Sequence, residues 1–105
     1  MRKDCIYISG KISGTDLEKT KQKFIKAQSY LYNKAYVENT EVDVVNPTLL
    51  DLTFKDSWLK CMIICLWHLL YCNSIYMLKD WKESDGACLE YWVAKKLGFK
   101  IYYQK

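Results

Sequence analysis

Four short apolar runs, separated by stretches with helical spacing, restrict the folds open to this chain. The runs cover residues 5–9, 41–45, 74–78 and 99–103. Between the first two, Phe24, Ala27, Tyr30 and Leu31 recur at intervals of three and four, which predicts a helix starting near Asp16, a suitable N-cap. Asn46-Pro47 closes the second run, because proline cannot continue a strand ladder. A linker from Thr48 to Asp56 leads to a helix over about 57–71, apolar nearly all round through Trp58, Leu59, Met62, Ile63, Ile64, Leu66, Trp67, Leu69 and Leu70. A third helix over about 85–97 ends at Gly98, a residue suited to the left-handed position after a helix. The order βαβαβαβ predicts an α/β fold, a doubly wound parallel sheet with helices on both faces.

The 105 residues suffice for one core, so the chain reads as a single domain, 1–105. Half the residues are apolar and 15% are aromatic, which argues against disorder. A net charge of +4 permits an anionic ligand. The lysines are scattered apart from Lys19, Lys21, Lys23 and Lys26, with no accompanying signature of dedicated nucleic-acid binding. Five cysteines, none in a CxxC pair, and a start that leads straight into a strand-like run favour a reduced, cytoplasmic protein.

Two features invite other readings. Cys61, Cys65, His68 and Cys72 share a helix face and resemble a metal site. Cys61 and His68 are separated by about 10 Å along such a helix, whereas zinc ligands converge to roughly 2.0–2.3 Å from one atom. We therefore expect buried cysteines and a hydrogen-bonded histidine, with no metal and no cofactor. The uncharged run 61–78 reaches roughly the length of a membrane span. Asn73-Ser74 interrupts it and His68 sits within it, so a helix, a turn and a buried strand are expected, with no membrane partner. One domain cannot cover every face of that apolar helix, which points to a homodimer or higher homo-oligomer.

Parallel sheets bind ligands at the C-terminal ends of their strands, where strand order reverses. The loops after the first three strands open there, carrying Ser9 and Gly10, Asn46, and the stretch 79–86. In the last, Ser84 stands at the predicted start of the third helix, where its hydroxyl either caps a free amide or meets a phosphate or sugar. Gly86 costs about 1 kcal/mol of helix stability relative to alanine but leaves the backbone open to close approach. Glu90, four residues on, points the same way. Its helical neighbours Gly86, Ala87, Val93 and Ala94 include no base. A carboxylate on an apolar stripe needs a partner from another segment, or a ligand.

Several short patterns recur in order: Tyr7-Ile-Ser-Gly10, Phe24-x-x-Ala27, Val45-Asn46-Pro47, Trp58-x-x-x-Met62, Asp80-Trp81-x-x-Ser84-x-Gly86-Ala87-x-x-Glu90 and Ala94-x-x-Leu97-Gly98. The series resembles the DUF4406 proteins, relatives of the nucleoside 2-deoxyribosyltransferases, along almost the whole chain. The resemblance implies a flavodoxin-like fold, a nucleoside or nucleotide ligand, and a glutamate at Glu90 that attacks the anomeric carbon of a 2-deoxyribonucleoside. It further implies that Tyr7 orients that glutamate and that Ser84 and Gly86 hold a 5′-phosphate. Trp81 either stacks on the base or packs beneath its loop.

The chain departs from this pattern at Asn73, where relatives usually carry an aspartate near the leaving base, and at Ile63 and Cys65, commonly Arg and Asp. Asp80 replaces a glycine, and Lys11-Ile12-Ser13-Gly14 replaces a proline-bearing loop. Asn73 keeps hydrogen bonding in place of the acid. The expected function is N-glycosidic bond chemistry, as a deoxyribosyltransferase or hydrolase with Glu90, Tyr7 and Asn73 as its catalytic set. The alternatives are a non-catalytic nucleotide-binding protein on the same fold and an interaction module built on the apolar second helix.

Overall fold

The computed structural model describes residues 4–12, 16–49 and 58–104, without the side chains of Leu17, Trp58 and Leu59. Ser13, Gly14 and most of the expected linker lie outside the described residues. The apolar runs form β1 (Asp4–Ser9), β2 (Val42–Val45), β3 (Ser74–Met77) and β4 (Lys100–Tyr103). The helices are α1 (Leu17–Val37), α2 (Trp58–Leu70) and α3 (Asp85–Lys96), and two short 3-10 turns cover Pro47–Leu49 and Trp81–Glu83. The four strands form one parallel sheet in the order β2-β1-β3-β4. This is a single α/β domain consistent with a flavodoxin-like fold.

The side-chain alternation of β1 and β3 divides the core in two. Ile6, Ile8, Tyr76 and Leu78 pack against Phe24, Ala27 and Leu31 of α1. Tyr7, Ile75 and Met77 pack on the other face, against Cys65 and Leu69 of α2 and Ala87 and Ala94 of α3. Strand β1 has neighbours on both sides and helices on both faces, so its residues are among the most deeply buried.

Local chemistry sets the element ends. Asp16 caps α1, its Oδ1 accepting from the amides of Glu18 at 3.0 Å and Lys19 at 3.4 Å. Gly98, at φ 76°, closes α3: its amide donates to the Lys95 carbonyl and that of Phe99 to the Ala94 carbonyl. The same motif closes α1, where Asn39 takes φ 56°. Here asparagine does the work of glycine, so the usual signal is absent from the sequence.

One expectation about helix faces changes, for Tyr30, and one is met, for α2. Tyr30 sits at the margin of the α1 stripe, half exposed, with its ring centroid 6.1 Å from that of Tyr76. Helix α2 is apolar around its circumference but buries one side, through Met62, Cys65 and Leu69, while Ile63, Trp67 and Leu70 stay more than half exposed. Among the described residues no helix is long and apolar enough to cross a membrane.

The Gly98 turn offers a clean test of backbone conformation. A Cβ added there meets nothing within 4 Å, so any loss on substitution reads the left-handed conformation alone. Gly98→Ala should lower stability by about 1–2 kcal/mol in urea unfolding. An unchanged midpoint would contradict this assignment.

Candidate functional site

The site begins with the two-residue period of β1. Tyr7 and Ser9 project to the same face of the sheet, the one covered by α2 and α3. Helix α3 starts where the sequence places it: Ser84 is its N-cap, its Oγ accepting from the Ala87 amide at 3.2 Å. The helix then brings Glu90 over the C-terminal half of β1. Tyr7 Oη donates to Glu90 Oε2 at 2.5 Å, and Ser9 Oγ donates to Oε1 at 2.7 Å. Glu90 is 5% exposed, and Tyr7 and Ser9 are fully buried.

Both partners are neutral, and among the described residues no cation pairs with Glu90. Removal from water therefore dominates its titration. Burial raises the Glu90 carboxyl to about 7, against the two hydroxyl donors that favour its anion. Burial and the neighbouring Glu90 charge push the Tyr7 phenol well above its ordinary range. Burial, then Glu90, raises the Cys65 thiol to about 11. The cluster thus holds one group that changes charge near neutrality, beside two that remain protonated there.

A cavity of about 50 Å³ adjoins the carboxyl, enough for a few waters. Its walls come from the ends of β1 and β2 (Gly10, Ile12, Pro47), from α2 (Cys61, Met62, Cys65) and from the start of α3 (Ser84, Gly86, Ala87). A larger groove on the α1 face, among Tyr30, Lys34, Tyr76 and Tyr102, lies away from this cluster. The smaller cavity is the candidate site because buried polar groups converge on it at the reversal of strand order.

Two of its boundaries can be traced to single residues. A Cβ on Gly86 would lie 2.8 Å from the Met62 sulfur, so the open space above this glycine is partly filled by a flexible thioether. Asp80, one of the departures noted above, joins two loops: its Oδ1 accepts from the Lys11 amide at 3.1 Å, and its Oδ2 pairs with Lys23 Nζ. Lys23 also donates to the Lys11 carbonyl at 3.3 Å. Asp80 thus ties the loop after β3 to the loop after β1 and, through the ion pair, to α1.

The sequence-derived residues divide accordingly. Tyr7, Gly10, Ser84, Gly86 and Glu90 line the cavity, and Ser9 supports the carboxyl from beneath. Gly10 is also a packing position, since a Cβ there would come within 2.6 Å of Leu78. Asn46 has its amide engaged, accepting from the Thr48 amide and hydroxyl and donating to Gln28, so it shapes the turn that presents Pro47. Trp81 stacks on Tyr91 with ring centroids 4.5 Å apart, in keeping with packing beneath its loop.

Asn73 requires a correction. Parallel register sets Ile6 beside Ser74 and Ser9 beside Met77, which leaves Asn73 level with the start of β1. Its Oδ1 accepts from the Cys5 amide at 3.0 Å and its Nδ2 donates to Asp4. It therefore sits roughly 13 Å along the strands from Ser9, at about 3.3 Å per residue, on the opposite edge of the sheet from the Glu90 cavity. Sequence reasoning also missed Ser9 as a Glu90 partner and Cys61 and Met62 as cavity walls; of the two α2 positions that the resemblance sets opposite Glu90, Cys65 lines the cavity and Ile63 is exposed. The signals were available: Ser9 follows Tyr7 by one strand period, and 61, 62 and 65 share a helix face.

The fold and this cluster define an α/β protein with a small cleft, at the strand-order reversal, built around a buried carboxyl. More narrowly, the chain belongs to the family described as Domain of unknown function (DUF4406), which matches residues 4–103. Among curated proteins none matches it.

The raised Glu90 value has a thermodynamic signature. Between the ordinary value of 4.5 and about 7 the unfolded chain ionises this residue while the folded chain keeps it protonated. Its contribution to stability is thus present below 4.5 and lost as pH rises through about 7, an effect of roughly 3 kcal/mol. Glu90→Gln should remove this pH dependence and exceed the wild type in stability at pH 8. Parallel stability profiles for the two proteins, measured by denaturant unfolding, would contradict the assignment.

Proposed function

We propose that this protein acts on, or binds through, the glycosidic centre of a nucleoside or nucleotide, with Glu90 as the nucleophile. The observation that carries this reading is a buried carboxyl held by two hydroxyls, with no cation paired to it among the described residues, at the end of the sheet where strand order reverses. Its resemblance to the nucleoside 2-deoxyribosyltransferases supplies the reaction. A carboxylate oxygen of Glu90 attacks the anomeric carbon, the bond to the base breaks, and the base leaves with the bonding electrons. The sugar remains as a glycosyl ester until a second base or water displaces it. Splitting one difficult displacement in two through oxocarbenium-like transition states is the logic of retaining glycosidases.

In this reading Tyr7 and Ser9 fix the carboxyl so that one lone pair faces the cavity, and the first turn of α3 after Ser84 receives a polar group of the ligand. Trp81 is engaged with Tyr91, and Asn73 lies at the far edge, so neither takes part. A nucleoside is larger than the space beside Glu90, and the Met62 thioether is the wall suited to move. The exposed side of α2, with Ile63, Trp67 and Leu70, supplies a face for a homodimer.

The small cavity, with Glu90 as the one carboxylic acid among its described walls, favours a second reading. In that reading the protein binds a nucleotide-derived ligand without turning it over. Incubation with mixed deoxynucleosides and deoxynucleotides, with and without an acceptor base, separates the two. Release of free base that vanishes in Glu90→Ala supports the enzyme, and thermal stabilisation by ligand without turnover supports the binder. Neither signal would contradict both readings.

For the enzyme, activity should climb about tenfold per pH unit below pH 7 and level off above it, as the Glu90 anion forms. Removal of a donor in Tyr7→Phe should move that limb to higher pH. A limb centred near 4.5 would contradict the role of Glu90.

A further inference from the structure

At the opposite edge of the sheet two sulfurs approach closely. Cys5 Sγ lies 2.7 Å from Cys72 Sγ, across a sequence separation of 67 residues. Non-bonded heavy atoms settle at roughly 3.5–4.0 Å, and a disulfide at about 2.05 Å. We propose that Cys5 and Cys72 are a modification site, a dithiol pair that a low-molecular-weight disulfide such as oxidised glutathione converts reversibly into a staple.

Neighbouring hydrogen bonds hold the pair in place. The Asn73 amide donates to the Cys5 carbonyl at 3.1 Å, and the Cys5 amide donates to Asn73 Oδ1 at 3.0 Å. The Lys100 amide donates to the Asn73 carbonyl at 3.2 Å, which fixes the same segment from the β4 side. Both sulfurs sit on the sheet face covered by α2 and α3, so the bond needs no rotation of a strand. Cys5 is partly accessible, whereas Cys72 is 6% exposed and donates to the His68 carbonyl at 3.6 Å.

This asymmetry assigns the order of steps. The Cys5 thiolate attacks one sulfur of the small disulfide, whose other half leaves as a thiolate. The Cys72 sulfur then attacks Cys5 Sγ and expels the second half, which takes up the Cys72 proton as it leaves as a thiol. Two protein thiols are oxidised, one disulfide is reduced to two thiols, and a dithiol reductant reverses the exchange. The resulting bond joins the start of β1 to the turn between α2 and β3, and the large loop it closes should raise stability. The Glu90 cluster is built at the other edge of the sheet and keeps its partners.

The test uses native protein treated with oxidised glutathione. Intact-mass analysis should show the loss of two hydrogens, and digestion should yield one peptide pair joined through Cys5 and Cys72. Tm should rise on the order of 10 °C, returning on reduction, and Cys5→Ser should abolish both changes. Any of three outcomes would overturn the proposal: a glutathione adduct that persists on Cys5, a cross-link between other cysteines, or no change in mass. A Cys5–Cys72 cross-link that leaves Tm unchanged would overturn its role as a staple.

Discussion

The contact of Glu90 with Tyr7 and Ser9 joins the parts of this fold that must agree for a site to exist. It links α3 to the central strand with a carboxyl group removed from water and two hydroxyls that donate to it. Burying a carboxylate without a cation costs several kcal/mol, and the two donors offset only part of that. The remainder appears as a carboxyl held near 7, which is a protonation balance as much as a structural bond. An apolar residue at 90 would pack here without such a cost, which is why this contact carries the proposed function.

Other features follow from the need to place that contact. Ser84 starts α3 at the phase that turns Glu90 inward, Gly86 admits the Met62 side chain beneath the helix start, and the Schellman turn at Gly98 lets β4 return beside β3. Asp80 joins the two loops at the rim through the Lys11 amide and fastens them to α1 through Lys23. Asp80 therefore has a structural role here.

Much of this architecture could be read from the chain. The apolar runs and helical spacings give the parallel α/β sheet and its element ends to within a residue or two, because strands covered on both faces read as short continuous apolar runs bounded by turn residues. The absence of a base near Glu90 on its own helix correctly left its partner to another segment, and that partner lies on β1. What escaped was register. Which residue of β3 stands beside which of β1 depends on tertiary packing, and that register puts Asn73 at the start of the strands, away from the site where the resemblance had placed it. The left-handed turn at Asn39 was hidden because asparagine also serves in loops and caps. That α2 would leave a face uncovered was legible, but which face was not, because its apolar pattern names no preferred side.

The central claim, that Glu90 is a buried carboxyl held by two neutral donors with no cation paired to it among the described residues, is open to direct measurement. In protein labelled with ¹³C at glutamate side-chain carboxyls, the resonance lost in Glu90→Gln identifies this group, and its chemical shift can be followed with pH. The account requires a midpoint near 7, about 2.5 units above the ordinary glutamate value of 4.5. A midpoint near 4.5 would mean that water or an unrecognised cation reaches the carboxylate, and would contradict the account of this site.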